Sequence, residues 1–167
     1  MKLNKLQKKI GISFKDDKLL IQALTHKSFD TKNNYEKLEF LGDRVLGFVI
    51  SKKLLELYPN EKVGMIDKKL ANLVNKNKCF EIGKELELDN YILTGNTEKK
   101  KKVNIEKKII SDCCESLIGA IYIDKGFEVS SKFILNYWKN YLNLSDITVI
   151  DSKTRLQEYS LKKFKAL

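Results

Sequence analysis

Helix-breaking residues are scarce in this sequence, and their scarcity restricts the chain to few classes of fold. The 167 residues include one proline, Pro59, and eight glycines. No stretch of any extent alternates apolar and polar residues as a half-buried strand does. Apolar residues make up 43% of the chain, which is enough for one domain with a sizeable core. The sequence therefore predicts an all-α domain.

Start and stop signals divide the chain into helices. Gly11 ends a first helix, Asp16 and Asp17 open a second, and Pro59 follows a long helix that begins near Asn34. The remaining predicted helices cover residues 66–77, 79–86, 105–124 and 128–142, with a connection over residues 87–103. A core made by such helices also explains Trp138 on the last of them better than base stacking does.

Several protein classes find no support in the sequence. The apolar stretch over residues 117–123 is too short to span a bilayer, and the N-terminus lacks the apolar segment of a signal peptide. The three cysteines have neither disulfide nor zinc-site spacing. We therefore expect a cytoplasmic protein without membrane contact, whose cysteines are reduced and act as small apolar residues.

Positive charge is concentrated in three segments of a chain whose net charge is +10. Residues 1–9, 99–108 and 151–167 together carry a net charge of +12, so the rest of the chain is nearly neutral. This distribution is typical of a protein that binds a polyanion through its phosphates. The lysine run Lys99, Lys100, Lys101 and Lys102 is a candidate contact to a nucleic-acid backbone, and a solvated loop is the equally open alternative.

Three carboxylates share one face of the long helix. At 100° per residue, Glu36, Glu39 and Asp43 fall within a sector about 60° wide, close to Gly47. The opposite arc is apolar and contains Leu38, Leu41, Val45, Phe48 and Val49. Taken alone, the pattern is that of an ordinary amphipathic helix with an acidic outer face.

A second acidic pair lies in a helix that is apolar nearly all round. Asp112 and Glu115 share a face with Gly119, where a neighbouring helix or ligand can approach closely. Residues 109–123 contain no lysine or arginine, so these two buried carboxylates need a positive partner from elsewhere.

Two acidic pairs on facing helices can surround a hard cation. Glu39, Asp43, Asp112 and Glu115 supply the oxygen ligands that Mg²⁺ prefers. In a polyanion-binding protein, Mg²⁺ on carboxylates indicates phosphodiester hydrolysis by a metal-activated water.

Three segments resemble the ribonuclease III family. Residues 34–43 (NYEKLEFLGD) resemble its signature, residues 111–120 (SDCCESLIGA) its second acidic motif, and residues 23–29 (ALTHKSF) an earlier element. The resemblance implies an all-helical, homodimeric endonuclease that cuts double-stranded RNA with Mg²⁺. It also implies products with 5′-phosphate and 3′-hydroxyl ends and a short 3′ overhang, and a role in rRNA and mRNA processing.

The resemblance also assigns roles to residues. It implies that the four candidate ligands bind metal and act in catalysis, and it adds Glu36 to the catalytic carboxylates. The signature helix lies at the family's dimer interface. Phe40 falls among the carboxylates on the helical wheel, so we expect it to enter a pocket on a second subunit, with Arg44 beside it. The alternatives are a non-cleaving RNA-binding or ribosome-associated member of the same fold, and a structural helical protein.

The C-terminal segment resembles the entry to a double-stranded-RNA-binding domain. The similarity covers residues 151–159 (DSKTRLQEY), in which Gln157 is a candidate contact to the RNA backbone. We assign residues 1–146 to the nuclease domain, 147–153 to a linker, and 154–167 to the start of a truncated or absent RNA-binding domain. Two positions depart from the family pattern: Val63, where many members have Glu, and Arg44, which replaces a small residue.

Overall fold

The computed structural model describes residues 2–95 and 106–144, and in these residues the chain is helical. The helices are α1 (Lys2–Ile10), α2 (Asp17–Ala23), α3 (Glu36–Leu57), α4 (Val63–Leu73), α5 (Lys76–Glu85) and α6 (Lys107–Leu144), with a 3₁₀ turn at Leu88–Asn90. The predicted all-α fold is confirmed. The run Lys99–Lys102, Gln157, the linker and the C-terminal segment lie outside the described residues.

Local capping explains where the shorter helices begin and end. The Asp16 carboxylate accepts a hydrogen bond from the backbone N–H of Lys18 and so begins α2, as predicted. Gly11 follows α1 with a φ of +68°, a left-handed conformation that glycine adopts without strain. The helices predicted over 66–77 and 79–86 begin three residues earlier, at Val63 and Lys76, and α5 begins there because Asn75 caps it through the N–H of Lys78.

The last two predicted helices lie in one element, α6, on either side of a kink. α6 runs from Lys107 to Leu144, and Gly126 within it has a non-helical conformation (φ +80°, ψ −178°). The helix is therefore interrupted between residues 124 and 128, where the sequence predicted a break. Within the described ranges, none of the helices is long and apolar enough to cross a membrane.

The core lies between α3, α5 and α6. Trp138 is fully buried, and its indole N–H donates to the carbonyl of Leu73 at 2.8 Å, which confirms its packing role. The cysteines Cys79, Cys113 and Cys114 are free thiols in this core, as expected. On α3 the predicted apolar positions Leu38, Val45 and Val49 are buried, and Leu41 is half-buried.

Phe48 departs from the predicted apolar arc of α3. Its side chain lies on the surface, 61% exposed, and its ring packs edge-on with that of Phe127 from α6, at 5.6 Å between centroids. Phe48 is at the margin of the arc on the helical wheel, where the neighbouring helix no longer covers it.

Two glycines allow α3 and α6 to cross at very short range. A Cβ atom on Gly42 would lie 1.8 Å from the carbonyl oxygen of Glu115, and one on Gly119 would lie 2.2 Å from that of Leu38. The close approach expected at Gly119 is confirmed. At Gly47 the space is open, and a Cβ there would meet no atom within 4 Å. The crossing brings the acidic residues of α3 and α6 to the same place.

Candidate active site

Three carboxylates converge where α3, α5 and α6 meet. Glu39 of α3 and Asp112 and Glu115 of α6 each place one oxygen within 4.8 Å of the others. The side chains of Asp112 and Glu115 are only 1% and 3% exposed. The structure therefore groups three of the four carboxylates that the sequence singled out as metal ligands; we call them the acidic cluster.

The other two predicted acidic residues lie at the mouth of the same cavity. Asp43 is outside the acidic cluster and forms an ion pair with Arg44. Glu36 forms an ion pair with Lys27 at 3.1 Å. The cavity has a volume of about 410 Å³, and its lining includes both carboxylates together with Glu39, Phe40, Lys76 and Glu115.

The positive charge that neutralises the acidic cluster comes chiefly from α5. The ammonium of Lys76 lies 2.9 Å from Glu39 Oε1, 2.6 Å from Asp112 Oδ1 and 2.7 Å from Glu115 Oε2. Sequence analysis missed Lys76, because nothing local relates α5 to the acids of α3 and α6. Lys108 adds a second contact, 3.0 Å to Asp112 Oδ2, and its four-residue spacing from Asp112 could have identified it.

The pKa values of the acidic cluster reflect opposing effects of burial and hydrogen bonding. Burial raises the pKa of Glu115, and contacts with Lys76 oppose this only in part. Burial also acts to raise the pKa of Asp112, but hydrogen bonds from Lys76 and Lys108 outweigh it and lower the value. Partial burial acts to lower the pKa of Lys76, yet its three carboxylate partners raise it, so Lys76 remains an ammonium.

Two further side chains from the core contact the buried acids. The Tyr35 hydroxyl donates to Asp112 Oδ2 at 3.5 Å, and the Cys79 thiol donates to Glu115 Oε1 at 3.5 Å. Hydrogen bonding with Cys114, together with burial, raises the pKa of Cys79, so its sulfur stays protonated and can donate. These contacts orient the two carboxylates, and no sequence pattern indicated them.

Comparison with known proteins shows which family has this arrangement. A family model described as Ribonuclease-III-like matches residues 16–142. Ribonuclease 3 of Pelagibacter ubique (strain HTCC1062) is 61% identical over 169 residues, which cover 100% of this chain and 76% of the relative. The chain belongs to the ribonuclease III family. The predicted family and enzyme class are thereby confirmed.

Other ribonuclease III proteins support the same assignment. Ribonuclease 3 of Hahella chejuensis (strain KCTC 2396) is 44% identical over 161 residues, covering 95% of this chain and 70% of the relative. A solved nuclease domain of ribonuclease III from Campylobacter jejuni matches with a TM-score of 0.76 and 36% identity, over 83% of this chain and 97% of that one. That domain is described as structurally flexible in a region involved in dimer formation.

The acidic cluster fits the divalent metal that the ribonuclease III family implies. Its donors are carboxylate oxygens, the ligands that hard cations such as Mg²⁺ prefer. The three short contacts to the Lys76 ammonium show that these oxygens already face one position where a cation is stabilised.

The two residues predicted at a dimer interface lie in the ribonuclease III signature segment and directly after it. Phe40 is 65% exposed, as its position on the helical wheel suggested. The Arg44 guanidinium lies over its ring, 5.1 Å from the centroid. Val63, the other departure from the family pattern, is 83% exposed at the start of α4 and offers no carboxylate there.

Proposed function

We propose that this protein is a Mg²⁺-dependent endoribonuclease that hydrolyses both strands of double-stranded RNA in the cytoplasm. The products carry 5′-phosphate and 3′-hydroxyl ends with a short 3′ overhang, and the reaction serves rRNA and mRNA processing. The observation that carries the proposal is the acidic cluster. In it, the nearly fully buried carboxylates of Asp112 and Glu115 and that of Glu39 surround the Lys76 ammonium. The chain that holds this cluster is a member of the ribonuclease III family. Binding of RNA alone does not require buried carboxylates.

In this proposal the buried and the more exposed carboxylates have different roles in binding the metal. Asp112 and Glu115 hold the metal in a fixed position, because Tyr35 and Cys79 orient them from the core. Glu39 completes the metal site from α3, with Asp43 at the cavity mouth as the fourth ligand. The metal, when bound, supplies Lewis-acid stabilisation of the phosphoryl group and a more acidic water.

Glu36 and the exposed Phe40 also have roles in the proposed enzyme. Glu36 lines the cavity beside Glu39 and adds a further acidic contact on the RNA side. A two-fold axis at Phe40 and Arg44 places two acidic clusters on one dimer, so that each addresses one strand of the duplex. Such a contact also covers the exposed Phe40 ring.

The RNA backbone contacts and the domain bounds belong to the proposal as well. Lys99–Lys102 and Gln157 contact phosphates through charge and hydrogen bonding, without reading base sequence. Residues 1–146 form the nuclease domain, 147–153 a linker, and 154–167 the start of a truncated or absent RNA-binding domain.

Incubation with a long, end-labelled RNA duplex tests the function. We expect short duplex products with Mg²⁺, no products with a chelator, and no cutting of the single strands. The product ends should accept a new 5′ label only after phosphatase treatment. Tight duplex binding without cleavage at any Mg²⁺ concentration would instead favour the non-cleaving RNA-binding alternative.

A further inference from the structure

The contacts of Lys76 use its full hydrogen-bonding capacity. A lysine ammonium has three N–H donors, and here one carboxylate oxygen from each of Glu39, Asp112 and Glu115 lies 2.6–2.9 Å from the nitrogen. These are the same three residues whose oxygens converge as a possible metal site. Lys76 therefore holds the position that a metal ion needs.

An ammonium and a divalent cation cannot share this position. Both need oxygens of the same three carboxylates, and their like charges repel strongly at such short range in a partly buried site. Asp112 and Glu115 are too deeply buried to remain without a positive partner. The acidic cluster is therefore neutralised by one cation or the other.

Lys76 is placed so that it can leave the acidic cluster. It is the first residue of α5, its side chain is 51% exposed, and it lines the open cavity over the cluster. Its flexible stem can carry the ammonium outward without any change in α5. Lys108 contacts the other oxygen of Asp112, Oδ2, so it need not move when Lys76 does.

We propose that Lys76 is a resident counter-ion that a divalent metal must displace. In the metal-free protein its ammonium keeps the three carboxylates together, and on metal binding it swings into the cavity. Lys76 thereby sets the metal concentration at which the enzyme becomes loaded. This inference rests on the proposed function, because the displaced position is that of the catalytic metal.

Metal titration of a Lys76→Met variant tests the competition. Methionine keeps the unbranched stem and removes the charge. If the ammonium occupies the cluster in nine molecules of ten, its removal tightens Mg²⁺ binding about tenfold. Calorimetric titration of Mg²⁺ into the RNA-free protein at constant ionic strength should show this gain. In a chelator, the variant should also melt at a lower temperature than wild type. Addition of Mg²⁺ should raise the melting temperature of the variant by more than that of wild type.

Lys84→Met is the matched control. Lys84 lies on the same helix, is 48% exposed and pairs with Asp89 at 2.6 Å, away from the acidic cluster. We expect this variant to bind Mg²⁺ with wild-type affinity. A merely structural role for Lys76 predicts weaker metal binding in Lys76→Met, and either that result or an unchanged affinity would overturn the proposal.

Amine labelling of the wild-type protein provides a test that needs no variant. With an acylating reagent and peptide mass spectrometry, Mg²⁺ should increase the labelling rate of Lys76 several-fold and leave that of Lys84 unchanged. An equal rate for Lys76 with and without Mg²⁺ would show that the ammonium is not displaced.

If wild type binds Mg²⁺ and cleaves RNA but Lys76 labelling is unchanged, the counter-ion proposal fails alone. If wild type neither binds Mg²⁺ nor cleaves, both proposals fail.

Discussion

The acidic residues of α6 and those of α3 differ in how their negative charge is stabilised. Asp112 and Glu115 are almost fully buried and contact Lys76 at 2.6 and 2.7 Å. Glu36 and Asp43 lie at the surface, with side chains 51% and 39% exposed, and pair with exposed basic neighbours. Both helices supply carboxylates to one cavity, but only the α6 pair is almost fully buried there.

This difference separates a fixed half of the site from an adaptable half. Breaking a buried ion pair leaves an uncompensated charge and is strongly destabilising, so the α6 carboxylates hold their positions. Exposed ion pairs contribute little stability, so Glu36 and Asp43 can exchange their basic partners for a metal ion at low cost. Glu39, 24% exposed and bound to Lys76, connects the two halves.

Replacing a single proposed metal ligand, in either half of the site, should have the largest effect on RNA cleavage. We expect Glu115→Gln on α6 and Asp43→Asn on α3 each to reduce Mg²⁺-dependent cleavage by at least about 100-fold, since even outer residues of metal sites can cost that much. Duplex affinity should stay within a small factor of wild type. Single-turnover cleavage and gel-shift assays measure the two effects.

Glu56→Gln is the control for these ligand variants. Glu56 is also an acid of α3, but it pairs with Lys53 near the far end of the helix. Its variant should cleave at the wild-type rate. Retained cleavage in Glu115→Gln at ordinary Mg²⁺ would remove that residue from the proposed ligands.

Replacing the exposed aromatic beside the adaptable half should break the dimer. We expect Phe40→Asp to raise the dimer dissociation constant by about 30-fold or more, as loss of a central interface residue does. The variant should remain helical and cut RNA poorly. Sedimentation of both proteins at micromolar concentration measures this, and a monomeric wild type or a dimeric variant would disprove the interface.

The glycine crossing that joins the two halves should tolerate no side chain. A Cβ on Gly42 would lie 1.8 Å from the Glu115 carbonyl oxygen, so Gly42→Ala should destabilise the protein by about 2 kcal/mol or more. Gly47→Ala, on the same helix with open space around it, should stabilise by about 0.5–1 kcal/mol. Urea denaturation compares them, and equal effects would show that the helices are not held this closely.

The sequence predicted what depends on one helix at a time. Hydrophobic periodicity and the helix start and stop signals identified α3, the cap at Asp16 and the helical sectors that hold the acidic residues. All of these follow from local geometry. The wheel also indicated that Phe40 is exposed. The resemblance to ribonuclease III then assigned metal binding and catalysis to the same four acids of the two helices.

What the sequence missed depends on contacts between helices. Lys76 reaches the acidic cluster from α5, across 36 residues to Asp112, so no periodicity relates them. The exposure of Phe48 depends on where α6 stops covering α3. Which glycine of α3 meets α6 backbone at short range, Gly42 rather than Gly47, also follows only from the crossing.

The smallest predicted effect is on the pH dependence of stability in the fixed half. Burial raises the pKa of Glu115 above its unfolded value, so its stabilising contribution is present in acid and is lost as pH rises through the folded pKa. Compared with wild type, Glu115→Gln should therefore become relatively more stable as pH rises from 4 to neutral in a chelator. Urea denaturation at both pH values measures this change, and a stability difference that does not depend on pH would contradict this origin.

Calorimetric titration of Mg²⁺ into the RNA-free protein tests most directly whether the acidic cluster holds the catalytic metal. We expect wild type and Glu56→Gln to bind Mg²⁺ with the same affinity. Asp112→Asn should lose the binding, because it removes a buried ligand that both Lys76 and Lys108 keep ionised. Wild-type Mg²⁺ binding in Asp112→Asn would place the metal elsewhere and contradict the proposed site.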